Sequence, residues 1–401
     1  MKATGGGEPK LLGLKFCKPI LRFLGALHAH EKHPNRSLHF DQLTVLLLMA
    51  YFDPARATLR EIVETSKLKR VQKALNVRPT SLGSVSEASH VFDPELLRQI
   101  FLELAGEACA IDAVPHPRQV PKEMMISIVD GTLWTALPRM YKALAQEGPR
   151  SGRKPGFMLQ LHFDLCRGVP TGAVVDDAFA SEKQLLGEAL AKDTLYVVDR
   201  GYMRFDLLQS ILDKGSSFLI RGKGDTVHRL RRELPISDAA RKAGVYWDAE
   251  VAVGSEPHAE KIKQPLRMIR ARCQLPAQHN LIPGGRHPAA DRTGMVDLIL
   301  LTDRMDWDAD LLLELYAHRW KIELFFRWFK HVLGCRHFIF ESENGFALQV
   351  YAALIGALLV VLYTGRKPNL AVMRAIQHYM SGWATYAEFK TMIKKERPAL
   401  P

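Results

Sequence analysis

The sequence predicts an α/β protein: a mixed sheet flanked by helices, with a helical domain in front of it and a β-rich insertion within it. Three observations predict it. Short apolar runs of strand length alternate with helical patterns between residues 124 and 220, and two of those runs end in an aspartate. The first 115 residues carry helix caps and amphipathic segments instead. An alternating, basic stretch punctuated by Pro and Gly then precedes a long amphipathic helix.

In chain order, Phe40 to Phe52 is strongly apolar, and Thr58-Leu59-Arg60-Glu61 has capping-box spacing. Asp93-Pro94-Glu95 sets a cap residue, a first-turn proline and a favourable acid ahead of the helical Leu96 to Leu104. Between these helices Arg60, Lys67, Lys69, Arg70, Lys73 and Arg78 outnumber Glu61 and Glu64. That suits a helix-turn-helix-like DNA contact, although a basic helix is as often a solvated face. Beyond the proline-containing Val114 to Pro121, Met124 to Val129 is a continuous apolar run ending at Asp130, a buried strand with an acid at its C-terminal end. Phe157 to Leu165 and Val169 to Asp176 are strands joined by a hairpin turn at Arg167-Gly168. Ser181 to Leu190 reads as a helix, Leu195 to Val198 as a strand ending at Asp199, Arg204 to Asp213 as a helix and Ser217 to Ile220 as a strand.

From Arg221 to Asp297 the alternating Val245 to Val253 and Leu266 to Cys273, with the Pro/Gly-rich Leu281 to Pro288, form the insertion. The strand Leu298 to Thr302 leads into a helix from about Asp308 to Leu333, with Asp308 and Asp310 at its N-terminus, where acids suit the helix dipole. Phe346 to Tyr363 is interrupted only by Gln349 and Gly356 and reaches the lower length limit of a spanning helix. Alone of its kind and downstream of an amphipathic helix, it reads better as a helix buried against a sheet, so no membrane is expected. The domains expected are 1–115 (helical, DNA-binding), 116–221 (first part of the core), 222–296 (β-rich insertion), 297–365 (second part of the core) and 366–401 (helical tail).

Of the 401 residues 47% are apolar and 24% charged, which excludes a disordered chain. Lys and Arg total 55 against 43 Asp and Glu, a net +12 that favours a polyanionic partner. The charge is concentrated: the N-terminal helices above, Arg139 to Lys154, Arg221 to Lys242 and Glu260 to Arg272 each carry a net +4, so the remainder is acidic. Such clustering is the footprint of a nucleic-acid track. Five scattered cysteines (Cys17, Cys109, Cys166, Cys273, Cys335) offer neither a zinc pair nor a disulfide framework, which points to a reducing, cytoplasmic setting. Met1 to Gly7 lacks a signal-peptide pattern and reads as a floppy tail. Arg221-Gly222-Lys223-Gly224 lacks Walker spacing, so no ATP is expected. His28, His30 and His33 lack zinc-motif spacing and read as a solvated polar stretch.

The chemistry concentrates on the long helix. Tyr316, Arg319, Glu323 and Lys330 fall within roughly 60° of one face at about 100° per residue. Leu315, Ile322, Phe326, Phe329 and Leu333 form an apolar stripe beside them. Arg319 and Glu323 alone are readable as a surface i,i+4 pair. With Asp130 and Asp199 at strand ends they become three carboxylates gathered at one edge of a sheet. Each pair would repel by about 4 kcal/mol at 4 Å and an effective dielectric of 20 unless divalent cations sat between them. Magnesium accepts such oxygens and, in pairs, serves phosphoryl displacement.

Tyr316-x2-Arg319-x3-Glu323-x6-Lys330 resembles, unbroken, the Y-x2-R-x3-E-x6-K signature of the DDE insertion-sequence transposases, specifically insertion-sequence family four. Asp130-Gly131-Thr132 and Asp199-Arg200-Gly201-Tyr202 resemble the two Asp regions of that family, and the likeness spans about Ser86 to Tyr363. The resemblance implies an RNase H-like core carrying the insertion, and a catalytic triad of Asp130, Asp199 and Glu323 holding two Mg²⁺ ions, for which Mn²⁺ substitutes. It implies metal-dependent nicking at transposon ends, followed by attack of the released 3′-hydroxyl on the opposite strand and on target DNA. Tyr316, Arg319 and Lys330 would contact phosphates, with Arg200, Tyr202 and Trp320 among the DNA-binding residues. The implied partners are double-stranded terminal repeats, target DNA and a second copy of the chain in a synaptic complex, in the bacterial nucleoid. Some relatives stack a flipped base on an aromatic ring during a hairpin step; Trp247 is the candidate here, against its reading as β-domain core. Two rival functions keep the same residues: a DNA-binding relative or regulator that no longer cuts, and an RNase H-like nuclease without strand transfer.

Overall fold

The computed structural model describes residues 18–30, 38–52, 58–75, 77–111, 113–136, 155–254, 261–274 and 295–395. The expected tail Met1 to Gly7, Cys17, His33, the basic stretch Arg139 to Lys154 and the loop Leu281 to Pro288 lie outside these residues. Helices α1 (Leu21–Ala29), α2 (Phe40–Phe52), α3 (Leu59–Ser66), α4 (Lys69–Leu75), α5 (Leu82–Val91) and α6 (Pro94–Glu107) come first. Caps set their starts: the Thr58 side chain accepts from the Glu61 N–H, and Asp93 accepts from Glu95 with Pro94 in the first turn. Then follow β1 (Met125–Thr135), β2 (Gly156–Asp164), β3 (Val169–Asp177), α7 (Glu182–Glu188), β4 (Thr194–Val198), α8 (Phe205–Asp213) and β5 (Ser217–Arg221). The β2–β3 hairpin turns at Gly168, whose φ of 69° is open to glycine at little cost. The remainder is β6 (His228–Glu233), α9 (Asp238–Lys242), β7 (Val245–Val253), β8 (Leu266–Gln274), β9 (Met295–Thr302), α10 (Ala309–Ala317), α11 (Trp320–His331), α12 (Glu343–Thr364), α13 (Leu370–Met380) and α14 (Tyr386–Lys395).

The strands form one mixed sheet in the order β3-β2-β1-β4-β5-β9-β8-β7-β6. β1, β4 and β5 are parallel neighbours, and the remaining pairings are antiparallel. Strands β6 to β8, which fall in the expected insertion, extend this sheet through β9 rather than forming a second one. Alternation along the central strands splits the core between two faces. Ile126, Ile128, Leu195, Val197 and Leu219 pack with the N-terminal helices, α10, α11 and α12. Val129, Tyr196, Val198, Phe218 and Ile220 pack against Leu186 of α7 and Leu207, Leu208 and Ile211 of α8. The apolar α12 meets the length and composition of a membrane span, yet 89% of its apolar window is buried inside this fold. It packs against α2, α5, α6 and β3, and Phe346 near its start stacks on Phe157 with ring centroids 4.4 Å apart.

Three expectations are corrected. β1 does not stop at Asp130 but continues to Thr135, because β2 goes on pairing with it after its parallel partner β4 ends at Val129↔Val198. β6 went unforeseen because five of its six residues are exposed, so His-Arg-Leu-Arg-Arg-Glu carries no buried face to signal a strand. The single helix from Asp308 to Leu333 is two, α10 and α11. Across His318 and Arg319 the backbone bonds shorten to i,i+3, from Arg319 N–H to the Tyr316 carbonyl and from Lys321 N–H to the His318 carbonyl. No Pro or Gly marks that junction.

His162 of β2 gives the fold a pH signature. Only 7% exposed, with its ring 6.3 Å from that of Tyr196, it is pushed by burial from its ordinary 6.5 down to about 4. The unfolded chain takes up a proton near pH 6.5 that the folded chain refuses until about 4, so this residue's contribution to stability falls as pH drops through that window. The loss is roughly 3 kcal/mol at full extent. His162→Gln, compared with the native chain by urea unfolding at pH 7 and 4.5, is expected to lack that increment; an identical pH dependence in both would refute it.

Candidate active site

The site forms where the parallel pairing of β1 and β4 runs out. Val129 and Val198 are the last partners in register, so Asp130 and Asp199, the next residues of each chain segment, stand side by side at the same edge. The α10–α11 pair brings the third acid to this edge. Its tightened turn has a geometric effect, because side chains three apart eclipse where i,i+3 bonding holds, which aligns Tyr316 with Arg319. Tyr316 donates its hydroxyl to Asp199 Oδ1 at 3.2 Å. Arg319 donates from Nη2 to Glu323 Oε1 at 2.6 Å and places Nη1 3.5 Å from Asp130 Oδ2. Asp130, Asp199, Tyr316, Arg319 and Glu323 are therefore one connected cluster.

Its electrostatics are tense. Burial lifts the Asp130 carboxyl to about 7; Arg319 opposes the rise, while Glu323 and a further acid, Glu182 of α7, add to it. Glu182 lies over the strand: a Cβ on Gly131 would stand 2.2 Å from its Oε1, so any larger residue there would push the Glu182 carboxylate aside. Burial works against the Arg319 charge, but Tyr316, Asp130 and Glu323 outweigh it and hold the guanidinium protonated. Burial, with the nearby Asp199 charge, keeps the Tyr316 hydroxyl protonated as well.

Lys330 sits apart from the acids. Its ammonium donates to the Leu133 carbonyl at 2.7 Å and lies 3.9 Å from the centroid of the Trp134 ring, pinning the end of α11 to β1; burial lowers it to about 8. Tyr202 and Trp320 are 1% and 5% exposed and pack behind the site rather than on its surface, with the Tyr202 hydroxyl accepting from Gln160 Nε2. Arg200 is exposed, beside Asp199. Trp247 is half-buried between Arg270 and His228. Sequence reasoning missed Glu182, since an acid in the first turn after the Ser181 cap reads as ordinary helix chemistry.

Among the described residues no group of three or more His, Cys, Asp and Glu side chains is closed into a metal cage. The donor set nevertheless suits a hard divalent cation. It consists of carboxylate oxygens, with Glu323 and Glu182 adding to the rise of the Asp130 carboxyl and a guanidinium standing between Asp130 and Glu323 as counter-charge.

The family model of the transposase DDE domain matches residues 121–359, which include all three acids. The chain belongs to this family. A Sinorhizobium fredii protein described as transposase y4zB is 26% identical to this transposase over 263 residues, which cover 64% of this chain and 67% of that protein. A Geobacillus stearothermophilus protein described as the transposase for insertion sequence element IS5377 is 22% identical over 240 residues, so this chain spans 58% of its length. Among solved structures, a piggyBac transposase synaptic complex with hairpin DNA aligns at a TM-score of 0.43 and 11% identity, over 97% of this chain and 81% of that one.

Proposed function

We propose that this DDE transposase cuts DNA at the ends of a mobile element and joins the released 3′-hydroxyl ends to target DNA, with Asp130, Asp199 and Glu323 as the carboxylates that hold two Mg²⁺ ions. The observation that carries this reading is the convergence of those three acids, through Tyr316 and Arg319, at one edge of the sheet. Bound divalent cations would neutralise the crowded carboxylates and stabilise the attacking and leaving oxygens of a phosphoryl displacement. The protein's own groups do the rest. Tyr316 holds Asp199 in place, Arg319 supplies a planar, permanently charged fork suited to a phosphate, and the Lys330 anchor on Leu133 fixes α11 against β1.

An RNase H-like core is proposed for β1 to β5, supported by their order 3-2-1-4-5 with an antiparallel meander followed by parallel strands. The division into a helical domain at 1–115, an insertion at 222–296 and a tail at 366–401 is proposed with it, as are a homodimeric synaptic complex and terminal-repeat binding by the N-terminal helices. Lys69, Arg70 and Lys73 are exposed along α4, where a duplex backbone would meet them.

The test is strand cleavage of a labelled element end with Mg²⁺, comparing the native chain with Asp199→Asn and Glu323→Gln. Nicked and then joined products from the native chain, lost by about a thousandfold or more in both variants with DNA binding retained, are expected. Cutting without joining would leave a nuclease, and specific binding without any cutting would leave a regulator.

A further inference from the structure

The carboxylate edge is approached from both faces of the sheet. Helix α11, which carries Glu323, packs on the face that holds Ile126 and Ile128, whereas α7 packs through Leu186 on the opposite face, which holds Val129 and Val198. Glu182 is the first residue of α7, directly after the Ser181 cap. Its side chain leans onto β1: an added Cβ on Gly131 would meet not only its Oε1 but its Cδ at 2.9 Å and its Cγ at 3.4 Å. The whole end of Glu182 therefore lies along the strand, one residue from Asp130.

That placement is held from within the sheet. Gln160 of β2 stands opposite Gly131 in the antiparallel register and is 0% exposed. Its Nε2 donates to the Glu182 carbonyl at 2.7 Å and to the Tyr202 hydroxyl at 3.2 Å, which ties the first turn of α7 to the segment just after Asp199. Tyr202 registers the crowding: burial, and then the charges of Glu182, Asp130 and Asp199, push its hydroxyl well above its ordinary value. The other end of the same amide, Gln160 Oε1, is buried with no protein donor to satisfy it. Leaving a buried acceptor open is costly. A hydrated cation supplies donors of the kind it needs, because magnesium keeps several of its waters. The helix dipole accounts for an acid in a first turn, but not for its leaning onto β1 beside an unfilled acceptor. Charge points the same way. Three carboxylates less the Arg319 guanidinium balance only half the charge of two divalent cations, and Glu182 supplies part of the remainder.

We infer that Glu182 is a fourth carboxylate of the cation site, reaching it from the α7 face, and that Gln160 is the residue that positions it. The inference rests on the reading of Asp130, Asp199 and Glu323 as cation ligands. Gln160 acts through Glu182: once that carboxylate is gone, no cation is held at this corner and the amide has nothing to orient.

Titration of the full chain with Mn²⁺, followed by the electron paramagnetic resonance signal of the free ion, tests this without any DNA cleavage. Glu182→Gln is expected to weaken Mn²⁺ binding about 10- to 100-fold, the usual cost of losing a group that supports a metal site. Gln160→Leu is expected to fall within the same range, and the two changes together should cost no more than Glu182→Gln alone. Glu188→Gln removes the same charge from an exposed position later on α7 and should leave the affinity unchanged. Thermal unfolding without metal checks that each variant folds. Native affinity in Glu182→Gln, an equal loss in Glu188→Gln, or additive losses in the double variant would each overturn the inference. Asp199→Asn separates it from the reading it rests on. Affinity lost there but kept in Glu182→Gln removes only the fourth carboxylate, whereas no Mn²⁺ binding by the native chain, or native affinity in both variants, removes the cation site altogether.

Discussion

Asp130→Asn is expected to abolish DNA cleavage, by about a thousandfold or more, while making the folded chain more stable. The loss follows from removing an anionic oxygen that the proposed cations need. The gain follows from the same group's surroundings: burial, Glu323 and Glu182 push its carboxyl from 3.8 up to about 7, and Arg319 offsets only part of this. A carboxylate whose folded value is raised destabilises the fold as pH climbs from its unfolded value to its folded one, here from about 4 to about 7, and by a constant amount above that. The full shift corresponds to about 4 kcal/mol. With 23% of the side chain still reaching solvent, screening brings the expected gain to about 1–3 kcal/mol. Urea midpoints at pH 5 and pH 8 read it out: the variant should exceed the native chain by more at pH 8. A variant less stable than native at both values would show that Asp130 is a structural residue whose loss of activity reports unfolding.

That prediction marks how far the sequence reaches. Asp130 and Asp199 were legible because buried strands leave apolar runs, and the residue after each run is where a parallel sheet opens. Glu323 was legible through its spacing from Tyr316 and Arg319. The turn that aligns Tyr316 with Arg319 was not, because no Pro or Gly marks His318-Arg319 and the carboxylates that Tyr316 and Arg319 meet, Asp199 and Asp130, come from distant parts of the chain. The resemblance implies a phosphate contact for Lys330; the structure adds its bond to the Leu133 carbonyl and its place over the Trp134 ring, partners about two hundred residues away that no local pattern announces. The cleft lined by Lys183, Arg200, Arg221, Lys223 and Arg270 was visible only as net charge: its five cations are scattered from residue 183 to residue 270 and meet through the order of the strands. The N-terminal helices illustrate the same limit. Their caps and periods were readable, but their sharing of one core with α12, some three hundred residues later, is tertiary information.

Replacing either member of the Arg267–Asp248 pair is expected to cost about 3–5 kcal/mol of stability, whereas replacing both with apolar residues should recover most of it. Arg267 of β8 grips Asp248 of β7 with two bonds, Nε to Oδ1 at 2.9 Å and Nη2 to Oδ2 at 2.6 Å, and the two side chains are 6% and 0% exposed. Taking one away leaves a full charge in the interior with nothing to neutralise it, which is why each single change is severe. Asp248→Leu with Arg267→Met removes both charges together. It does not restore the native state fully, because Arg267 also donates to the carbonyls of Arg304 and Trp307, just ahead of the helix that carries Tyr316. Those carbonyls lose their donor, a residual cost of about 1–3 kcal/mol. A double-mutant cycle on urea unfolding should therefore show strong coupling, and additive single losses would refute the buried-pair account. The double variant also separates two roles of the insertion. If its strands only add stability, cleavage should survive in a chain that folds well. If Arg267 is the strap that seats α10 against the sheet, cleavage falls in that same stable chain, because the Tyr316 and Arg319 contacts that gather the three carboxylates depend on where α10 begins.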